Sequence, residues 1–261
     1  MISLSSIVGI LLGIGVILFS MHRETNNLAI FFSQSSLLIV LGGTITVTFV
    51  GFRAKYVWNA FVALFRIYLH QSISPKSLQK DVAQAIEWSR RVQVDGNRAL
   101  DAISHESKDD FIKYIYGLAS TGYTIEDIRL FGETNIEETY FRRLQSANIL
   151  STMGSMTPAL GLVGTLLGLI TMLSKLDDPS KLGPGLSMAL TATLYGLLFA
   201  RFFFLPSSTK TKQTLSIERF RQYLQLEGLV LLMERRPSLY IQDRLNSFLD
   251  RSSQYSAKTG V

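Results

Sequence analysis

The 261-residue chain has no cysteine, which removes disulfides, thiolate metal ligands and thiol nucleophiles from consideration. Its three histidines, His22, His70 and His105, lie far apart and show no metal-binding spacing. No Gly-rich stretch ends in the Lys-Ser or Lys-Thr of a phosphate-binding loop, and the sequence supports no Ser-His-Asp arrangement. We therefore expect no enzyme, no cofactor and no stably bound metal.

Acidic residues are also missing from four apolar segments, at about 2–21, 28–52, 149–174 and 183–205. Each has roughly the 20 residues that a helix needs to cross the hydrocarbon layer of a membrane. Proteins that move ions usually place a carboxylate within the membrane, because it can bind a cation or proton and release it. If this chain handles ions, a partner subunit must supply the carboxylate, and the chain alone is not expected to be a complete transporter.

The residues that are present indicate a helical membrane protein. The chain is 47% hydrophobic and 18% charged, and it contains no repeat and no strand-like alternation. We predict an all-α fold with four transmembrane helices, the first two within 1–52 and the last two within 148–206. Segment 53–147 is predicted to be a cytoplasmic helical domain, and segment 207–261 a cytoplasmic helical tail.

Positive charge sets the predicted topology. The net charge of +6 is better explained by Lys and Arg beside the membrane segments than by nucleic-acid binding. The rule that basic loops stay in the cytoplasm places both termini there, in a multi-pass membrane protein. A signal peptide is the rival interpretation of 2–21, but the segment lacks a basic start and a small-residue cleavage site, which favours a retained helix.

The last two apolar helices each carry a face of small residues. They recur every three or four positions, at Gly154, Pro158, Gly161, Thr165, Gly168 and Met172, and at Ala189, Thr193, Gly196 and Ala200. Such faces let transmembrane backbones approach closely. The hydroxyls, together with carbonyls loosened by Pro158, also suit an ion path, and the two interpretations are compatible.

The run PALGLVGTLLGLITMLSKLDDPSKLGPGLSMALTATLYGLLFARFFFLP, residues 158–206, resembles the MotA/PomA subunit of bacterial flagellar stators. The resemblance extends to the four spans, the long middle segment and the tail around LEGLVLLMERRPSLYIQDRLNSFL. It implies a homopentameric ring around two copies of a MotB/PomB-type partner, which supplies a transmembrane Asp and an anchor to the cell wall. Ion flow would then turn the ring against the rotor protein FliG.

The same resemblance implies roles for particular residues. Pro158 and Pro206 correspond to prolines that couple ion passage to movement, and Thr193 to a hydroxyl near the partner's Asp. Thr165 stands where sodium-type members tend to have Thr, which favours transient Na⁺ near Thr165 and Thr193 over H⁺. The absence of a second Thr at Ala192 weakens that preference. The alternative for Thr165 is a hydrogen bond back to its own helix.

A rotor contact is implied at Arg90, Arg91 and Asp101, within RRVQVDGNRALD. The arginines lie further upstream than in the family, and Asp replaces Glu. Solvated surface charge is the alternative interpretation.

Two other functions remain open for the whole chain: an ExbB/TolQ-like subunit that energises an outer-membrane system, and a membrane scaffold that moves no ion.

Overall fold

A computed structural model of the protein describes residues 4–25, 28–69, 75–178, 182–251 and 254–256. Every regular element in those ranges is a helix, which confirms the predicted all-α class. The chain divides into two compact units. The first comprises Met1–Gln71 with Arg143–Gln213, and the second comprises Ser72–Arg142 with Thr214–Val261.

The first unit contains the most apolar helices. In chain order these are α1 (Leu4–Glu24), a 3-10 turn (Leu28–Phe31), α2 (Gln34–Leu37), a π-helical segment (Leu38–Gly42), α3 (Gly43–Gly51), α4 (Ala54–Leu69), α9 (Leu182–Leu198) and a π-helical turn (Phe199–Phe204).

The second unit is built from shorter, amphipathic helices together with parts of two long ones. These are α5 (Pro75–Asp95), α6 (Asn97–Glu106), α7 (Asp110–Ser120), α8 (Ile125–Leu173), α10 (Leu205–Met233) and α11 (Ser238–Asn246). The boundary between the two units falls inside α8 and α10, so each of these helices contributes to both.

Local capping determines where several helices begin and end. Thr124 accepts a hydrogen bond from the Asp127 N–H at 3.2 Å, and its hydroxyl donates to the Asp127 carboxylate at 2.7 Å, so the chain starts α8 at Ile125. Asp109 caps α7 by accepting from the Phe111 N–H at 3.0 Å. Gly96 separates α5 from α6 with φ of 57°, a backbone conformation that favours glycine.

Three helical segments of the described residues are long and apolar enough to cross a membrane: Gln34–Gly51, Ile125–Leu173 and Leu182–Met233. The 21 residues of α1 give it a length of about 30 Å, which is also sufficient. Two features differ from the spans expected at 28–52 and 183–205. The Ser33 hydroxyl accepts from the Ser36 N–H and starts a new helix at Gln34, and the helix of the last span continues through Pro206 into α10.

Each unit has its own core. In the first unit, Ala60, Ile149, Leu150, Met153 and Phe204 are buried against one another. In the second, aliphatic side chains of α5, α6, α7, α8, α10 and α11 pack around Trp88 and Tyr116, whose rings meet edge to face with centroids 5.0 Å apart. The mixed polar and apolar second span packs as expected of a protein-facing helix, because Ser36, Thr44 and Thr48 are buried.

Candidate functional site

Helices α8 and α9 approach so closely that their backbones touch. A Cβ atom added to Gly168 would lie 2.7 Å from both the Ala189 nitrogen and the Gly185 oxygen. One added to Gly161 would lie 2.9 Å from the Ala192 oxygen. No side chain larger than hydrogen fits at these two positions without moving backbone, so the small-residue faces do serve close helix packing.

Thr165 and Thr193 meet at this interface. Their hydroxyl oxygens are 2.5 Å apart, and Thr165 lies on α8 whereas Thr193 lies on α9. The Thr165 hydroxyl is also 3.2 Å from the Gly161 carbonyl of its own helix and 3.1 Å from the Ala189 carbonyl of α9. Four oxygen atoms from two helices therefore lie close together. The Thr165 hydroxyl contacts three of these oxygens besides its own, and only the Gly161 carbonyl belongs to its own helix.

The chemistry of this cluster is that of a neutral oxygen site. The Thr165 hydroxyl has one proton and three oxygen neighbours, so it cannot donate to all of them at once. Thr193 is solvent-exposed in the single chain, whereas Thr165 is partly buried. Four oxygens without a formal charge can replace part of the water around a monovalent cation, but an additional carboxylate is needed to bind and release it.

Pro158 lies on the same helix as Thr165, about two turns before it. It stands inside α8, and because proline has no N–H, the carbonyl of Gly154 loses its usual helical donor there. The α-carbon of Pro158 would lie 3.3 Å from a Cβ at Gly196 of α9. The proline is therefore part of the tight contact between the two helices.

Pro206 lies one residue after the start of α10, directly behind the π-helical turn Phe199–Phe204. The N–H of Leu205 reaches back five residues to the carbonyl of Ala200 instead of the usual four. Proline cannot donate to the carbonyl four residues before it, and its ring collides with that carbonyl in a regular helix. The widened turn lets the chain stay helical across Pro206.

A second hydroxyl cluster joins the other side of α9 to the second span, and sequence reasoning gave it no role. The Tyr195 hydroxyl donates to the Phe31 carbonyl at 2.7 Å and accepts from the Ser33 N–H at 3.1 Å. The Ser36 hydroxyl lies 2.8 Å from that of Thr191. The available signal was the spacing of Thr191 and Tyr195, four residues apart and therefore on one face of α9.

The three residues named for a rotor contact lie on the surface but do not form one cluster of contacts. Arg91 forms an ion pair with Glu106 at 3.2 Å, and the two side chains are 39% and 62% exposed. Asp101 lies 3.7 Å from His105 on its own helix, and Arg90 is exposed on α5. These positions fit either a partner surface or solvated charge.

Stronger ion pairs lie deeper in the second unit. Arg221 of α10 contacts Asp81 through two hydrogen bonds of 2.6 and 2.8 Å and reaches Asp109 at 3.3 Å. The hydrogen bond to Asp81 raises the pKa of Arg221 above its ordinary value. Asp81 has a side chain only 5% exposed, so this pair holds α5 to α10 through a buried charge.

A second network joins α8 to α10. Glu137 accepts from the Tyr223 hydroxyl at 2.7 Å and from Arg219 at 2.6 Å. The Tyr223 hydrogen bond, followed by the Arg219 contact, lowers the pKa of Glu137 below its ordinary value. The Arg219 guanidinium also lies 4.8 Å from the centre of the Tyr140 ring.

Comparison with known proteins gives a consistent result. Residues 103–222 match the MotA/TolQ/ExbB proton channel family. The chain is 30% identical over 221 residues to YtxD of Bacillus subtilis, an alignment that covers 85% of this chain and 80% of YtxD.

Two solved structures have the same fold over nearly their whole length. The C. jejuni MotAB structure superposes with a TM-score of 0.88 at 26% identity, covering 98% of this chain and 99% of that one. The flagellar MotAB stator complex from Bacillus subtilis gives a TM-score of 0.84 at 25% identity, with 96% of each chain covered.

Proposed function

Because this chain belongs to the MotA/TolQ/ExbB proton channel family, we propose that it is the MotA/PomA-type stator subunit of a bacterial flagellar motor. In this role it forms an ion channel with a MotB/PomB-type partner and converts ion flow into rotation. Membership of a channel and motor family also means that the chain is not an enzyme. Its likeness to a flagellar MotAB stator complex over 96% of the chain supports the proposal.

The contact between Thr165 and Thr193 is the observation that carries the ion path. Two hydroxyls and two carbonyls meet between helices whose apolar segments contain no acid. A transported cation moving past this point loses water and needs oxygen ligands in its place. The partner's transmembrane Asp completes the site by adding the one charged ligand that this chain lacks.

The need to surround the ion with protein also explains why several chains would assemble. A single chain offers one pair of hydroxyls at an exposed helix surface, and Thr193 becomes lined by protein only when a partner covers it. Five copies around two partner chains enclose the path, and the second unit faces the rotor protein FliG. The large apolar surface of α8 and α9, including Leu162, Leu166 and Leu190, is available for lipid or neighbouring copies.

We propose that the protein lies in the inner membrane, with both termini, the 53–147 domain and the 207–261 tail in the cytoplasm. Four spans return the chain to its starting side, and Lys and Arg flank the cytoplasmic ends. Reporter fusions within residues 22–27 test this topology. An external signal is expected, whereas a cytoplasmic signal favours the three-span arrangement of an ExbB/TolQ-like subunit.

We favour sodium over protons as the transported ion. A dehydrated sodium ion needs several oxygen ligands, whereas a proton needs only an acceptor and water. The four oxygens around Thr165 suit the first requirement better. Swimming speed is then expected to follow external sodium at fixed pH, and Thr165→Ala should weaken that dependence or abolish motility. Undiminished swimming without sodium would show that protons are used.

The decisive experiment is Thr193→Val in a strain that carries this chain and its partner and no other stator. Valine keeps the shape and removes the oxygen, so ion-dependent rotation should fall to a small fraction or disappear. Thr171→Val is the matched control, because among the described residues the exposed Thr171 hydroxyl bonds only the Leu167 carbonyl of its own helix, at 2.8 Å. Unchanged rotation and ion flux in Thr193→Val would remove this hydroxyl from the ion path, and a wild type that supports neither rotation nor ion flux in this strain would leave only the membrane scaffold.

A further inference from the structure

The helix of the second span is interrupted near its start, beside α9. The 3-10 turn Leu28–Phe31 ends before α2 begins at Gln34, and between them the backbone of Phe32 and Ser33 is not helical. The Ser187 hydroxyl of α9 lies 3.5 Å from the Ile30 carbonyl, which places this interruption beside α9 and not beyond its end. Backbone N–H and C=O groups freed in a membrane need partners from protein, since lipid offers none.

Tyr195 supplies both missing partners with one hydroxyl. Its O–H donates to the Phe31 carbonyl at 2.7 Å, and its oxygen accepts from the Ser33 N–H at 3.1 Å. One turn earlier on the same face of α9, the Thr191 hydroxyl lies 2.8 Å from that of Ser36. The buried Ser36 hydroxyl also lies 2.9 Å from the Met188 carbonyl.

This face of α9 is opposite the one that carries Thr193. Residues two apart on a helix are separated by about 200° around its axis. Thr193 therefore points towards α8 and the Thr165 hydroxyl, whereas Thr191 and Tyr195 point towards the second span. The second span thus contacts the face of α9 opposite Thr193. These contacts fix the rotation of α9 about its axis at which Thr193 meets Thr165.

We propose that Tyr195 is a positioning residue for the ion path: by holding the interrupted start of the second span, it fixes the rotation of α9 that presents Thr193. This inference rests on the proposed function, because it assigns Tyr195 a role in ion handling. It adds a residue outside the pair of hydroxyls that contact the ion.

Tyr195→Phe tests the proposal, since it removes one oxygen and keeps the ring that packs on Phe199. The variant is expressed with the partner chain in a strain that has no other stator, and rotation rate is measured against external sodium chloride at fixed pH. A parallel series varies pH without sodium. The half-saturating concentration of the ion that the wild type uses should rise about threefold to tenfold, as expected for the loss of one or two hydrogen bonds.

Two measurements separate positioning from a merely structural role. Immunoblots of membranes and the melting temperature of the purified complex report how much protein folds and assembles. Tyr114→Phe is the matched control, because Tyr114 is exposed on α7 and no hydrogen bond joins its hydroxyl to another described residue. Ser36→Ala is the second test variant. If Tyr195→Phe fails to accumulate, the half-saturating ion concentration of Ser36→Ala is measured in the same assay and decides the question.

A shifted ion dependence at normal protein level supports the proposal. An unchanged half-saturating concentration overturns it, whether the protein level is normal or reduced, because Tyr195 would then only stabilise packing. If the wild type itself shows no ion-dependent rotation, the proposed function fails and this inference falls with it. If the wild type rotates and only the Tyr195 effect is absent, the inference alone is lost.

Discussion

Gly154 of α8 lies directly against Leu205, the first residue of α10. A Cβ at Gly154 would come within 2.6 Å of the Leu205 Cγ and 3.2 Å of its backbone nitrogen. Gly154 is the residue whose carbonyl loses its donor to Pro158, and Leu205 directly precedes Pro206. The two prolines implied in coupling are therefore joined through one close contact.

Gly154→Ala is expected to disturb this contact and to reduce motility. The added methyl group must displace Leu205, and overpacking of this kind costs about 1–3 kcal/mol of stability. Adding Leu205→Ala should restore part of the lost motility by opening space. Gly42→Ala is the control, because nothing lies within 4 Å of a Cβ at that position. A Gly154→Ala variant that swims and melts like wild type would show that the contact is not required.

Pro206→Ala should separate ion flow from rotation. Alanine restores the backbone N–H and permits a regular helix, so the widened turn at Phe199–Phe204 is no longer required. We expect ion flux through the complex to persist while the rotation rate falls several-fold. Pro184→Ala is the matched control, because Pro184 lies in the first turn of α9, where proline leaves no unpaired helical group. Equal losses of flux and rotation would argue against coupling at Pro206.

Arg221→Gln should strongly destabilise the second unit. The change leaves the buried Asp81 carboxylate without its cation, which typically costs about 3–5 kcal/mol. The melting temperature of the full chain in detergent measures the effect. Arg91→Gln, at the exposed pair with Glu106, should lower the melting temperature far less and serves as the control. Similar losses from both variants would mean that burial does not set the strength of these pairs.

Glu137 should make stability fall at acid pH. Its pKa in the folded chain is lowered from the ordinary value of 4.5, so the folded state holds the proton less tightly than the unfolded state. The resulting stabilisation is present above about pH 4.5 and disappears as pH falls through the lowered pKa. The melting-temperature gap between wild type and Glu137→Gln should therefore narrow from pH 6 towards pH 3. A gap independent of pH would contradict this assignment.

Charge reversal tests the surface patch on α5 and α6. If Arg90 and Asp101 contact the rotor, Arg90→Glu and Asp101→Lys should each weaken binding to FliG, and raising salt should weaken wild-type binding as well. Both side chains are exposed, so neither change should alter the melting temperature. Lys80→Glu, at an exposed position on the same helix, is the control. Binding unaffected by either reversal would leave solvated charge as the explanation.

Much of this architecture could be predicted because hydrophobic periodicity and capping are local. Thr124 and Asp127 form a capping pattern three residues apart at the start of α8, and the close packing of α8 on α9 followed from glycines spaced along one face. The contact of Thr165 with Thr193 agrees with their placement on facing small-residue surfaces.

The features that escaped prediction depend on residues far apart in the chain. Tyr195 meets Phe31 across 164 positions, and Arg221 meets Asp81 across 140. Nothing in a local pattern specifies such partners. The interruption at Ser33 was hidden for a related reason: segment 28–52 carries no charge, and the hydroxyl that meets its non-helical backbone comes from the distant Tyr195.

Because α8 is one unbroken helix of 49 residues, it restricts where insertions and deletions can occur in the sequence. Each residue inserted or deleted in a helix turns everything after it by about 100°. A single-codon insertion between Ile125 and Thr165 would carry the hydroxyl away from α9, whereas one in the turn after Leu173 would not. Length polymorphism among related genes should therefore be confined to the connections and excluded from this helix.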